Sequence, residues 1–155
     1  MCIRDSPSDV QLKKLLSLPP DAPVVALNLF QFNSQAQYQP SDPEFNTEAA
    51  NVTGKIAWAR YSATAGKYLA DLGGKVVFST PVAQVMIGPA DVQWDVAAIM
   101  YFPTRKAFME MLENPVFQKA SRHRKAALAN HHMICLLYTS PSPRDATLSR
   151  MPSSA

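Results

Sequence analysis

Motifs that announce a chemistry are missing from this chain. It has no nucleotide-binding glycine loop, no paired-cysteine zinc pattern, no HExxH helix and no nucleophile elbow. Cysteine is nearly absent: Cys2 and Cys135 stand alone near opposite ends, which excludes a disulfide framework and a thiolate metal site. Charge of one sign is also lacking. A formal net charge of +3 implies neither nucleic acid nor a membrane surface as partner. No apolar run approaches the roughly 18 residues that a membrane span needs. What is abundant is apolar side chain, 47% of the sequence, which marks a globular chain rather than a disordered one.

The two ends read as something other than protein. MCIRDS, residues 1–6, matches what one frame of a transposase sequencing adapter encodes, and CLLYTSPSPRD from Cys135 to Asp145 looks like its reverse complement. SRMPSSA, Ser149 to Ala155, resembles the adapter continuing past a sample index. Residues 1–6 and 135–155 are therefore set aside as suspected adapter, as tags and fusion scars are, and Pro7–Ile134 is taken as a single domain. Both cysteines leave with them, and the net charge falls by one to +2. The remaining length can bury one modest core. The compartment stays open, with the cytoplasm as the expectation.

The stretch from Trp94 to Leu128 organises the rest. Val96, Ala98, Met100 and Phe102 alternate with Ala97, Ile99 and Tyr101, and both sets are apolar, which predicts a strand covered on both faces. Pro103 ends it, and Thr104 is placed to cap a helix carrying Ala107, Phe108, Met111 and Leu112. Asn114-Pro115 then opens a second helix, in which Phe117, Ala120, Ala127 and Leu128 share a face with Arg124. His131 begins a last strand, which strand-like composition should extend through Cys135, Leu136, Leu137 and Tyr138.

Upstream, Ser8 caps a short helix that ends at Pro19-Pro20, and Pro23–Phe32 has strand length and composition, with Asn28 as its central polar residue. Asn33–Val52 reads as a long loop, a lid or binding edge if it has a role. Trp58, Tyr61, Ala65, Tyr68, Leu69 and Leu72 recur at helical spacing over Lys55–Leu72, and Gly73-Gly74 stops that helix. Lys75–Gly88 reads as a strand bent or bulged near Pro81, joined by a turn to a strand that opens at Trp94.

The order β-α-β-β-α-β is the split arrangement of an α+β, ferredoxin-like domain, a four-stranded antiparallel sheet with helices on one face. VVALNLFQF, ARYSATAGKYLADLGGKVVFS, IGPADVQWDVAAIMYFP, FMEMLENPVFQ and HRKAAL resemble, in that order, successive blocks of the family catalogued as domain of unknown function 1330. The resemblance covers about Pro23 to Ile134 and implies the dimeric α/β-barrel superfamily, in which two sheets face each other across a two-fold axis. A second protomer is also the economical cover for a strand apolar on both faces. The superfamily holds cofactor-free monooxygenases, isomerases and binding modules, and fold analogy does not choose among them.

Four polar residues on otherwise apolar elements are the candidate site. Arg124, on a core-facing stripe, must be paired; it either meets Asp91, Asp95 or Glu113 or anchors a carboxylate or enolate oxygen of a small ligand. His123 beside it is either a solvated surface residue or a general acid or base. Asn28 and Tyr61 either bond and pack structurally or line a ligand cleft between sheet and helices. His131 and His132 project to opposite strand faces and so cannot share a metal; they read as terminal, solvated histidines. The expectation is a homodimeric small-molecule binder or cofactor-independent enzyme, with no metal or organic cofactor; the alternative is a non-catalytic dimerisation or ligand-sensing module.

Overall fold

The computed structural model describes residues 6–89 and 91–137. Four helices are started by the residues whose side chains can replace the missing intrahelical acceptors. Ser8 and Gln11 form a reciprocal capping box on α1 (Asp9–Leu16). Thr53 accepts from Ile56 N at the start of α2 (Gly54–Asp71), and Thr104 accepts from Ala107 N at the start of α3 (Arg105–Glu113). Asn114 Oδ1 takes both Val116 N and Phe117 N, with Pro115 as the first residue of α4 (Pro115–Ala127). At the end of α2, Gly73 takes φ 75°, which lets Gly74 N reach Leu69 O and Gly73 N reach Ala70 O.

The strands are β1 (Val24–Phe32), β2 (Lys75–Pro81), β3 (Val96–Phe102) and β4 (Leu128–Leu137). They form one sheet in the order β2-β3-β1-β4 with every neighbouring pair antiparallel. This is the ferredoxin-like α+β arrangement, with α1 added in front and the second crossover divided into α3 and α4. Alternation puts Val24, Ala26, Asn28 and Phe30 of β1, with Ala98 and Phe102 of β3, under the helices. Tyr61 and Leu69 of α2, Phe108 and Met111 of α3 and Phe117 of α4 close the core above them. The other sheet face carries Val25, Leu27 and Leu29, then Ile99 and Tyr101, with Phe78 opposite Ile99 and Ile134 opposite Leu27.

Several boundaries differ from expectation. Pro81 ends β2 instead of bending it, because it has no N–H for the ladder; the bulge lies at Val77, between the pairs Val76–Met100 and Phe78–Ile99. β3 opens at Val96 and not at Trp94; just before it, Asp95 ties the strand start to its neighbours, with its N–H donating to Phe30 O at 2.8 Å and its Oδ2 accepting from Phe32 N at 2.7 Å. β4 starts at Leu128, directly from α4, three residues before the expected His131. It runs on through Cys135, Leu136 and Leu137, as their strand composition predicts; Tyr138 lies outside the described residues, as do residues 1–5 and 139–155 of the suspected adapter segments.

The Asn33–Val52 loop holds only a short 3-10 turn (Glu48–Ala50). Its stems are pinned. Asn33 N binds Ala127 O, Asn33 Nδ2 and Gln37 N both take Ala126 O, Ala36 N takes Val52 O, and Gly54 N takes Asn33 O. The loop thereby satisfies carbonyls that the end of α4 leaves without helical partners.

Candidate functional site

Asn28 is the one polar side chain among the buried described residues, 1% exposed on the helix-facing side of β1. Its amide is accounted for. Nδ2 donates to Ala26 O at 3.2 Å, which leaves Oδ1 to accept from His131 Nε2 at 3.1 Å. His131 is therefore not a solvated terminal residue: it is half-buried, its ring 4.8 Å from that of Phe30. His132, on the other face as expected, is exposed and lies 4.8 Å from the Trp94 ring.

Tyr61 sits on the inner face of α2 between Trp58 and Phe117, with ring centroids 5.1 and 5.8 Å away. Burial pushes its phenol pKa up, with the positive charge of Arg124 acting against that shift, so the hydroxyl keeps its proton. Arg124 is half-buried on α4, near enough for its charge to reach Tyr61. The structure brings these two together across the α2–α4 seam.

His123 belongs to a different neighbourhood. One position before Arg124, it turns to the loop, where its Nδ1 lies 2.8 Å from Tyr38 Oη and its Nε2 lies 3.8 Å from Glu44 Oε1. Tyr38 Oη also accepts from Arg60 Nη1 at 3.2 Å, so the phenol proton points to His123 Nδ1 and the imidazole proton sits on Nε2, facing Glu44. Burial, then the Arg122 charge, holds the His123 pKa below its usual 6.5, against the pull of Glu44 and Asp42. With a side chain only 12% exposed, His123 is not a surface residue. Glu44 is gripped by Arg122 through Nε (2.9 Å to Oε2) and Nη2 (2.9 Å to Oε1), which lowers the carboxyl pKa. Arg60 Nη1 is also bonded to Ala49 O at 2.7 Å.

Sequence reasoning thus named His123 without its partners. Tyr38 and Glu44 lay in a loop with no periodicity, and Arg60 falls outside the apolar stripe of the Lys55–Leu72 helix. His131 escaped because only the β1–β4 register sets it against Phe30 and beside Asn28. Two concavities open nearby. One, of about 260 Å³, lies among Tyr68, Asp71, Leu72, Glu110, Met111 and Asn114. The other, of about 350 Å³, is walled by the 33–52 loop itself, including Gln35, Gln37, Tyr38, Phe45, Asn46 and Asn51. Among the described residues no group of three or more His, Cys, Asp or Glu is placed to hold a metal, and no helix is long and apolar enough to cross a membrane.

The sequence pattern of the family described as "Domain of unknown function (DUF1330)" matches residues 47–136. The chain belongs to this family. Two solved structures resemble it over nearly their whole length. The methylated RPA0582 protein is 30% identical, with a TM-score of 0.78 over 91% of this chain and 98% of that one. RPA0582 from Rhodopseudomonas palustris, described as a protein of unknown function, is 31% identical, with a TM-score of 0.75 over 88% and 97%. A dimeric protein of unknown function and ferredoxin-like fold from Bacteroides fragilis aligns at 11% identity and TM-score 0.42, over 75% and 96%. Comparison with curated proteins found no match.

Proposed function

We propose that this DUF1330 chain works as a non-catalytic dimerisation module, with its open sheet face packed on a second copy. The observation that carries this is the outer face of the sheet, where Val25, Leu27, Leu29, Ile99, Tyr101, Phe78 and Ile134 present a continuous apolar surface. Phe78 is 51% and Ile134 48% exposed. A surface of this kind on an isolated domain favours association, and an isologous pair covers both copies at once. Sedimentation velocity tests it. The protein should sediment as a dimer at micromolar concentration, and Ile99→Glu, which places a charge at the centre of the face, should give a folded monomer. A wild-type monomer at those concentrations would overturn the reading.

A non-catalytic role is favoured over chemistry in the sheet–helix cleft because the four candidate residues do not converge there. Asn28 is buried and bonded at both ends, Tyr61 is 9% exposed, and His123 faces the loop. A second reading, a cofactor-independent enzyme or binder of a small carboxylate, draws support from the juxtaposition of Tyr61 and Arg124. There the guanidinium would hold the ligand's oxygen, with Asn28 orienting it and His123 as proton carrier. Native mass spectrometry separates the two: a small extra mass lost in Arg124→Ala supports the second reading, and an unladen dimer supports the first.

A further inference from the structure

We propose that the concavity walled by the 33–52 loop is a binding site for an uncharged, polyhydroxylated molecule about the size of one sugar ring. The inference does not depend on the dimer, since it rests on the loop and on α2 and α4 of one chain.

The loop is built, not loose. Its two stems are tied to the end of α4 and to each other by the backbone bonds of Asn33, Ala36, Gln37 and Gly54, and Asn33 adds its side-chain amide. In its middle, the Tyr38 hydroxyl is fixed by His123 and Arg60, and Glu44 by Arg122. Asn46 turns the chain at φ 58°, in the left-handed region that asparagine adopts more readily than other residues with a Cβ. A segment of this length without regular structure inside a compact domain, held this firmly, has the character of a functional wall.

The lining sets the ligand class. The side chains that wall the space include the amides of Gln35, Gln37, Asn46 and Asn51 and the rings of Tyr38 and Phe45, and none of the lining residues is ionisable at neutral pH. The charges nearby are consumed: Glu44 is held by Arg122, and the Arg60 guanidinium is bonded to Tyr38 Oη and Ala49 O. A charged ligand would find no counter-ion in the wall and would lose hydration without compensation. Amides both donate and accept, as hydroxyl groups do, so four of them around one space match a polyol better than an anion or a cation. Gln35 Nε2 donates to Asn51 Oδ1 at 2.8 Å and Gln37 Nε2 to Gln35 O at 3.1 Å, which fixes three of the four amides while each keeps further donor or acceptor capacity for a ligand. Phe45, 37% exposed, adds an aromatic ring to the wall, the side-chain type on which the C–H side of a sugar ring packs. The concavity, about 350 Å³ and broadly open to solvent, would hold one ring by a single face, which suits weak binding of a monosaccharide-sized molecule.

Saturation-transfer NMR on the whole protein tests this, with methyl α-D-glucopyranoside and myo-inositol as neutral probes and gluconate and glucosamine as charged controls. The neutral probes should receive saturation with millimolar affinity and the controls at least fivefold less. Gln37→Ala and Phe45→Ala should lower the neutral signal at least threefold with a melting temperature near that of the parent, while Tyr68→Ala, in the other concavity, leaves it unchanged. No transfer to either neutral probe would overturn the proposal. So would equal transfer to the charged controls, or a signal that persists in both loop variants.

Discussion

Buried Asn28 and half-buried His131 share a hydrogen bond. Removing the His131 ring takes the donor from the buried Asn28 Oδ1 at a cost of about 1–3 kcal/mol, whereas replacing both with apolar side chains of similar shape is closer to neutral. His131→Leu should therefore lower stability by about that amount, and Asn28→Leu with His131→Leu should recover most of it. Denaturant melts of the four proteins in the cycle measure the coupling, and additive effects would show that the pair is not energetically linked. His123 gives a prediction in pH. Its folded pKa lies below the unfolded 6.5, so the unfolded chain binds more protons between the two values. Stability is then constant above about 6.5 and falls as pH drops through the window beneath it. Protonation also puts a second donor against Tyr38 Oη, which already accepts from Arg60. Hydrogen-exchange protection factors in the 33–52 loop, which are normalised to the intrinsic exchange rate at each pH, should fall as pH drops below 6.5, and His123→Gln should flatten that fall. Glu44 has the opposite chemistry but the same sign, with a depressed carboxyl pKa, and its contribution is lost only below 4.5.

At the scale of elements, the parts with local signals were legible in the sequence and the parts defined by distant contacts were not. Ser8, Thr53, Thr104 and Asn114 are followed by helices, and their side chains make the capping bonds. The alternation in β1 and β3 divides their side chains into two sets, one for each face of the sheet. The loop was legible only as a gap in pattern, because its order comes from α4 carbonyls some 90 residues away in sequence. The same is true of the candidate residues: Asn28 and Tyr61 were found from an odd residue on an apolar face, but the partners of His123 had no periodic signature. Two glycines of α2 make the contact visible as opposite signs. A Cβ at Gly54 would collide with Asn33 O and Ala127 O where the loop stem crosses the helix start, so Gly54→Ala should cost about 1–3 kcal/mol or more. Gly66, in the same helix, has open space at that position, and Gly66→Ala should gain about 0.5–1 kcal/mol from helix propensity. Thermal melts of the two variants decide whether the loop stem is packed against α2 as tightly as the geometry says.

For the whole molecule, one layer of helices covers one face of the sheet, and among the described residues no element covers the other, which is also apolar. The sequence carried half of this, since both sets of β3 side chains are apolar; it did not say which set would be left outside. The β2 edge has safeguards of its own, Lys75 at one end and Pro81 at the other, so lateral strand addition is a poorer way of hiding apolar surface than pairing face to face. Face-to-face pairing couples folding to concentration. If the second copy binds only the folded chain, the midpoint of thermal unfolding rises with protein concentration by mass action, whereas an isolated domain melts at one temperature. The melting temperature should therefore climb by several degrees between about 1 and 100 μM, and the Ile99→Glu variant should melt lower and independently of concentration. A wild-type midpoint that stays fixed across that range would mean the outer face contributes nothing to stability through a second copy, and the pairing would have to be abandoned even if weak association were seen by sedimentation.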